Sequence, residues 1–113
     1  MRPDVHSATE RVVAIRVQVT GLATGDVSRQ EIEDALCAGY AEALAGDAWL
    51  AKAERRLHEL MDDPSGTVSG RELRTLAGER TEFERGLLAL RDDLAALRRM
   101  HDRLRTRSQA RSV

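Results

Sequence analysis

The chain has 113 residues, of which 42% are apolar, 33% charged and only 3% aromatic. That length holds one domain, and the scarcity of aromatic side chains argues against a β-sandwich or barrel. A net charge of −1 excludes a molecule drawn as a whole to nucleic acid or to an acidic membrane.

Ala, Leu, Arg and Glu dominate, the composition of long helices and coiled coils. With this much charge, two long helices bury little surface by themselves, so a partner surface or a second copy is expected. Lys52 is the one lysine among the basic residues. That preference for Arg reads as the mark of a GC-rich bacterial genome rather than as chemistry. Cys37 is the only cysteine, so no intrachain disulfide forms, which fits a reducing cytoplasm. Met1 to Glu10 carry no apolar leader. No apolar run approaches the ~20 residues of a membrane span. The expected location is the cytoplasm, with no membrane partner.

Residues 1–7 are expected to be a disordered N-terminus. A short helix 1 is predicted over 8–22. Ser7-Ala8-Thr9-Glu10 has the form of a capping box, and Val5, Ala8, Val12, Ile15, Val19 and Leu22 follow heptad spacing. The same stretch alternates Val13, Ile15, Val17 and Val19 at period two, and β-branched residues favour strands. A strand paired across a dimer is the alternative. Gly21, Thr24 and Gly25 then break the chain.

Helix 2 is predicted over 29–62. In Val27-Ser28-Arg29-Gln30-Glu31-Ile32, Ser28 can cap the helix, Glu31 can reach back to it, and Val27 can pack on Ile32. Its a positions are Leu36, Ala43, Leu50 and Leu57; its d positions are Ile32, Gly39, Gly46, Ala53 and Leu60. The small residues permit close approach, with large Leu side chains of a neighbour filling the space. Leu36, Tyr40 and Leu44 recur every four residues and widen the apolar face, so more than one neighbour is expected.

Asp63-Pro64-Ser65-Gly66 ends that helix. Val68-Ser69-Gly70-Arg71-Glu72-Leu73 repeats the earlier start, and helix 3 is predicted over 70–107. Its a positions are Leu73, Arg80, Leu87, Leu94 and His101; its d positions are Leu76, Phe83, Leu90, Leu97 and Leu104. That is a sustained coiled-coil pattern. Residues 108–113 are expected to be a disordered C-terminus. The short connection makes helices 2 and 3 antiparallel. Residues 31–63 carry nine acids against three bases, and 91–113 carry seven Arg against three Asp. The basic end of helix 3 would therefore lie beside the acidic start of helix 2. The fold class is all-α: one domain, a long antiparallel coiled-coil-like hairpin plus a short N-terminal helix, assembling into a dimeric bundle.

Chemistry is sparse. The two Gly-x-Val-Ser-x-x-Glu segments share a layout with the second half of a calcium loop. Met61, however, stands where the loop's first carboxylate is needed, and capping accounts for the same residues. His6, His58 and His101 are scattered, and no Glu-x-x-His pair is present. No metal, cofactor or catalytic residue is expected, and Cys37 reads as a small hydrophobe.

Two polar a residues stand out. His101 reads as a residue that sets register. Arg80 lies level with Glu54, and an ion pair there would fix alignment. Its sharper reading is an anion contact shared with Arg85. Trp49 lies on the seam's flank and is a candidate for packing on helix 1, on a dimer mate or on a partner. Arg98, Arg99 and Arg103 begin a basic tail that could grip phosphates, although no aromatic side chain lies nearby to stack bases. Trp49, Tyr40, Arg80, Arg85, Arg98, Arg99 and Arg103 are thus the candidate partner-binding residues.

The leading expectation is a non-enzymatic interaction, assembly or regulatory module that packs helices with itself, as a dimer or higher oligomer, and with a protein partner. The alternative is a nucleic-acid or nucleotide binder using Arg80, Arg85 and the tail. A third reading is a small helical enzyme built on seam residues such as Arg80 and Asp47.

Overall fold

Three α-helices make up the computed structural model, which describes residues 5–22, 27–62 and 70–111. They are α1 (Val5–Leu22), α2 (Arg29–Met61) and α3 (Gly70–Arg111). No strand occurs among the described residues.

In α1 the helical period wins over the alternating one. Ala8, Val12 and Val19 are buried and Ile15 packs beside them, while Val13 and Val17 are 54% and 67% exposed. A strand would have kept residues 13, 15, 17 and 19 on one face. The helix starts at Val5, three residues before its predicted start. Ser7 therefore lies inside it and is not its cap. Residues 5–7, expected to be disordered, are helical: Val5 packs against the core, and His6 pairs with Glu10 at 3.1 Å.

Ser28 caps α2 as its sequence predicts. Its hydroxyl accepts from the Glu31 amide at 3.2 Å with extended backbone, ψ 154°, and Val27 is half-buried against the core. At the other end the Asp62 amide donates to the His58 carbonyl at 2.9 Å. The expected break at 63–66, with the Val68 and Ser69 start, lies outside the described residues. α3 continues to Arg111, beyond the predicted 107 and into the tail expected to be disordered. Cationic residues near a helix C-terminus favour that continuation by opposing the helix dipole.

The ion pairs give the topology. Glu33 meets His101, Asp47 meets Arg91, Glu54 meets Arg80 and Arg56 meets Glu72. As one number rises the other falls, so α2 and α3 are antiparallel. α1 joins α2 through Arg11–Glu42 at 3.1 Å and α3 through Arg16–Asp93 at 2.8 Å. Val12 lies at the level of Gly86, so α1 is parallel to α3. The result is an up-down-up arrangement of unequal lengths: 18, 33 and 42 residues.

That inequality divides the molecule. With Val12 level with Gly86, Val5 lies about 10 Å further down, near Glu79. Beyond that level, among the described residues, α2 and α3 have only each other. The core sits where all three helices meet: Leu87, Leu90, Leu94 and Leu97 are each 1% exposed or less. Towards the far end Leu57 and Leu73 are only half-buried, while Leu60 and Leu76 stay buried. The whole is a rod of 71 × 21 × 18 Å.

Gly39 and Gly46 set how closely α2 and α3 approach. A methyl group on Gly39 would collide with Leu94, and one on Gly46 would come within 2.8 Å of Leu87. The leucines of α3 therefore fill the room that the missing side chains leave.

Candidate interaction surface

Trp49 is not a surface anchor. It is 8% exposed and packs on Phe83 with ring centroids 4.6 Å apart, tilted by 47°. It lies on the flank of α2 that also carries Ala35 and Glu42. α1 covers that flank, as the Arg11–Glu42 pair shows. The seam pattern of α2 alone leaves Trp49 at an edge; the third helix closes over it.

Arg80 and Arg85 are not brought together. Arg80 donates to Glu54 at 2.9 Å and also lies 3.9 Å from Glu84. Arg85 is held by Glu82 at 3.1 Å, one turn away on its own helix. Asp47 is matched with Arg91, so Asp47 and Arg80 also belong to separate pairs. Arg98 lies against Tyr40, whose hydroxyl oxygen accepts from it and holds the guanidinium above its ordinary pKa. Arg99 and Arg103 are exposed. His101 is half-buried in the seam, 3.0 Å from the Glu33 carboxylate. That hydrogen bond, opposed in part by desolvation and helped by the weaker charges of Arg29 and His101, holds Glu33 below its ordinary 4.5.

The surface that sequence reading missed is the back of α2. With a and d facing the core, the b and f positions point straight away from it and are ordinarily the most polar. Here they are Cys37, Ala41, Leu44, Ala48 and Ala51, all exposed. Between Asp34 and Lys52 the only charged residues are Glu42 and Asp47. Both are turned sideways, to Arg11 and Arg91. The outward face of α2 is therefore without charge for about 21 Å, from Cys37 to Ala51.

Large hydrophobic side chains mark its centre. Leu44 is 70% exposed and Tyr40 40%. Leu88 of α3 is 56% exposed and precedes Arg91 by three residues, as Leu44 precedes Asp47. Gly39 lies against Leu94 and Gly46 against Leu87, so in this antiparallel pair Leu44 is level with residue 89, within about one residue's rise of Leu88, and both leucines lie on the side of the rod that carries the Asp47–Arg91 pair. The ends of the face are charged and opposite in sign. Asp34, which among the described residues accepts from Gln30 at 2.8 Å, stands at one end. Lys52 and Arg55, with no ion pair among the described residues, stand at the other. The signal was available in the sequence as a second 4-3-4-3 spacing on α2. It stayed hidden because alanines serve a seam and a surface equally well.

Comparison with models of protein families, with curated proteins and with solved structures finds no match. Among the described residues no helix is long and apolar enough to cross a membrane. Fold and surface therefore carry the functional reading.

Proposed function

We propose that this protein is a non-enzymatic interaction and assembly module, which associates with itself by helix packing and offers its remaining surface to a protein partner. The observation that supports this is the uncharged outward face of α2 with exposed Leu44 at its centre and Leu88 beside it. Exposed apolar side chains gathered on one face, rather than scattered, mark interaction sites. Such a face is costly to leave in water on a small rod.

A readout of mass and stability against concentration tests the reading. Light scattering should give a multiple of the 12.5 kDa chain. The thermal midpoint should rise with protein concentration, because association stabilises the folded state by mass action. A chain that stays monomeric at every concentration, with a constant midpoint, refutes self-association.

The exposed arginines at the end of α3 favour one second reading, an anionic partner such as nucleic acid. Arg103, Arg105 and Arg107 are exposed and lie at or beyond the level where His101 meets Glu33 near the start of α2. Binding that falls steeply with salt and disappears on removal of residues 103–113 would support it.

A further inference from the structure

The outward face of α2 reads differently along its length: Asp34 at the start, Cys37, Ala41, Leu44, Ala48 and Ala51 through the middle, Lys52 and Arg55 at the end. A surface with an acidic end, a neutral centre and a basic end complements itself when turned by 180°. A parallel copy would set Asp34 against Asp34 and Arg55 against Arg55. An antiparallel copy sets each acid against a base. We propose that this face binds a second copy of the chain, α2 against α2, antiparallel about a two-fold axis at Leu44 and Ala45. This rests on the self-association proposed above and adds its surface, its orientation and its contacts.

In that arrangement Asp34 of one protomer lies opposite the partner's Arg55, beside the partner's Lys52. Ala41 lies opposite the partner's Ala48. Leu44 packs over the partner's Ala45 and its neighbouring alanines, where the absence of long side chains lets the helices approach closely. Two-fold interfaces repeat every contact, so each charge pair forms twice. None of these side chains has to leave a core partner, because all are exposed in the single chain. Leu88, at the level of Leu44, comes to the rim of the same contact. A helix of another protein would meet the apolar centre as well, but would have no reason to match the sequence of charges along α2 in reverse.

The experiment uses the full chain and sedimentation equilibrium, with circular dichroism as a check on helix content. Leu44→Arg should raise the dissociation constant more than tenfold, as loss of a central apolar contact does, while helix content stays unchanged because Leu44 is 70% exposed. Asp34→Arg and Arg55→Asp should each weaken the dimer. The double variant should restore it to within about threefold of the original, since the swap keeps opposite signs facing (the logic of charge complementarity). Oxidation gives the orientation. About the proposed axis the two Cys37 residues are separated by about 22 Å along the helices, far beyond disulfide reach. Wild type should therefore resist cross-linking, and Cys37→Ser/Leu44→Cys should cross-link.

An oligomer whose mass is untouched by Leu44→Arg overturns the proposed face and leaves self-association standing. Failure of the double charge variant to rescue, or ready cross-linking through native Cys37, overturns the antiparallel arrangement. A wild type that is monomeric at all concentrations overturns both this proposal and the reading beneath it.

Discussion

The two ends of the rod are made from the same heptad grammar and are held differently. Around Gly39 and Gly46, α2 has α3 on one flank and α1 on the other, and Leu87, Leu90, Leu94 and Leu97 of α3 are shut off from water. Around Leu57 and Leu73 the a-position leucines are only half covered, although the d-position Leu60 and Leu76 beside them stay buried. A seam between two helices buries a line of side chains; a third helix turns that line into a core. Stability should therefore be concentrated at the α1 end, and the opposite end should open first.

Truncation of leucines gives the largest contrast. Leu90→Ala, at 0% exposure, should cost about 2–5 kcal/mol, whereas Leu73→Ala should cost about 1 kcal/mol, in proportion to the smaller area it covers. Urea denaturation at fixed protein concentration compares them. Equal losses would mean that α1 adds nothing to the core.

The glycines sharpen the same contrast at a smaller scale. Gly39→Ala should destabilise by about 1–3 kcal/mol, because its methyl group would occupy the place of Leu94 in a packed site. Gly78→Ala meets nothing within 4 Å and should stabilise by about 0.5–1 kcal/mol through helix propensity. Opposite signs in the thermal midpoints are the expected result. A stabilising Gly39→Ala would mean that α2 and α3 are not in close contact there.

The smallest expected effect is the pH response at the α1 end of the seam. Glu33 titrates below 4.5 in the folded chain because of its hydrogen bond with His101. Its folded pKa is depressed, so its contribution is present above 4.5 and is lost as pH falls through the lower folded value. The midpoint difference between wild type and Glu33→Gln should shrink as pH drops below 4.5. A difference independent of pH in that range would show that the bond contributes nothing to stability. The group is exposed, so a shift of small size is expected.

Local and pairwise features were legible in the sequence. The Ser28 cap, the helical face of α1, the glycine-for-leucine fit between α2 and α3, and the Arg80–Glu54 pair depend on near neighbours or on one register. What depended on a third body was not. For Trp49 the sequence offers helix 1, a dimer mate or a partner as the cover, and the choice of α1 comes only with the third helix in place. The start of α1 was misjudged because Ser7 and Glu10 have capping spacing inside a helix as well as at its beginning. Of the candidate site, Tyr40 stands beside the apolar face, whereas Arg80 and Arg85 turn out to be matched with carboxylates of their own. The sequence marks Leu44 only within the stripe Leu36, Tyr40 and Leu44; the uncharged face through Cys37, Ala41, Ala48 and Ala51 is not legible, because a helix with alanine on two sides has no single hydrophobic direction.

The shape of the rod bears on how any assembly must be weighed. Its radius of gyration is 18.9 Å, where a compact chain of this length would have about 13 Å. A single protomer of this outline sweeps out a larger volume as it tumbles than its mass implies. It would leave a sizing column early, among globular proteins of greater mass. Elution position alone would report a dimer where one chain is present, so the count of protomers has to come from scattered light or sedimentation.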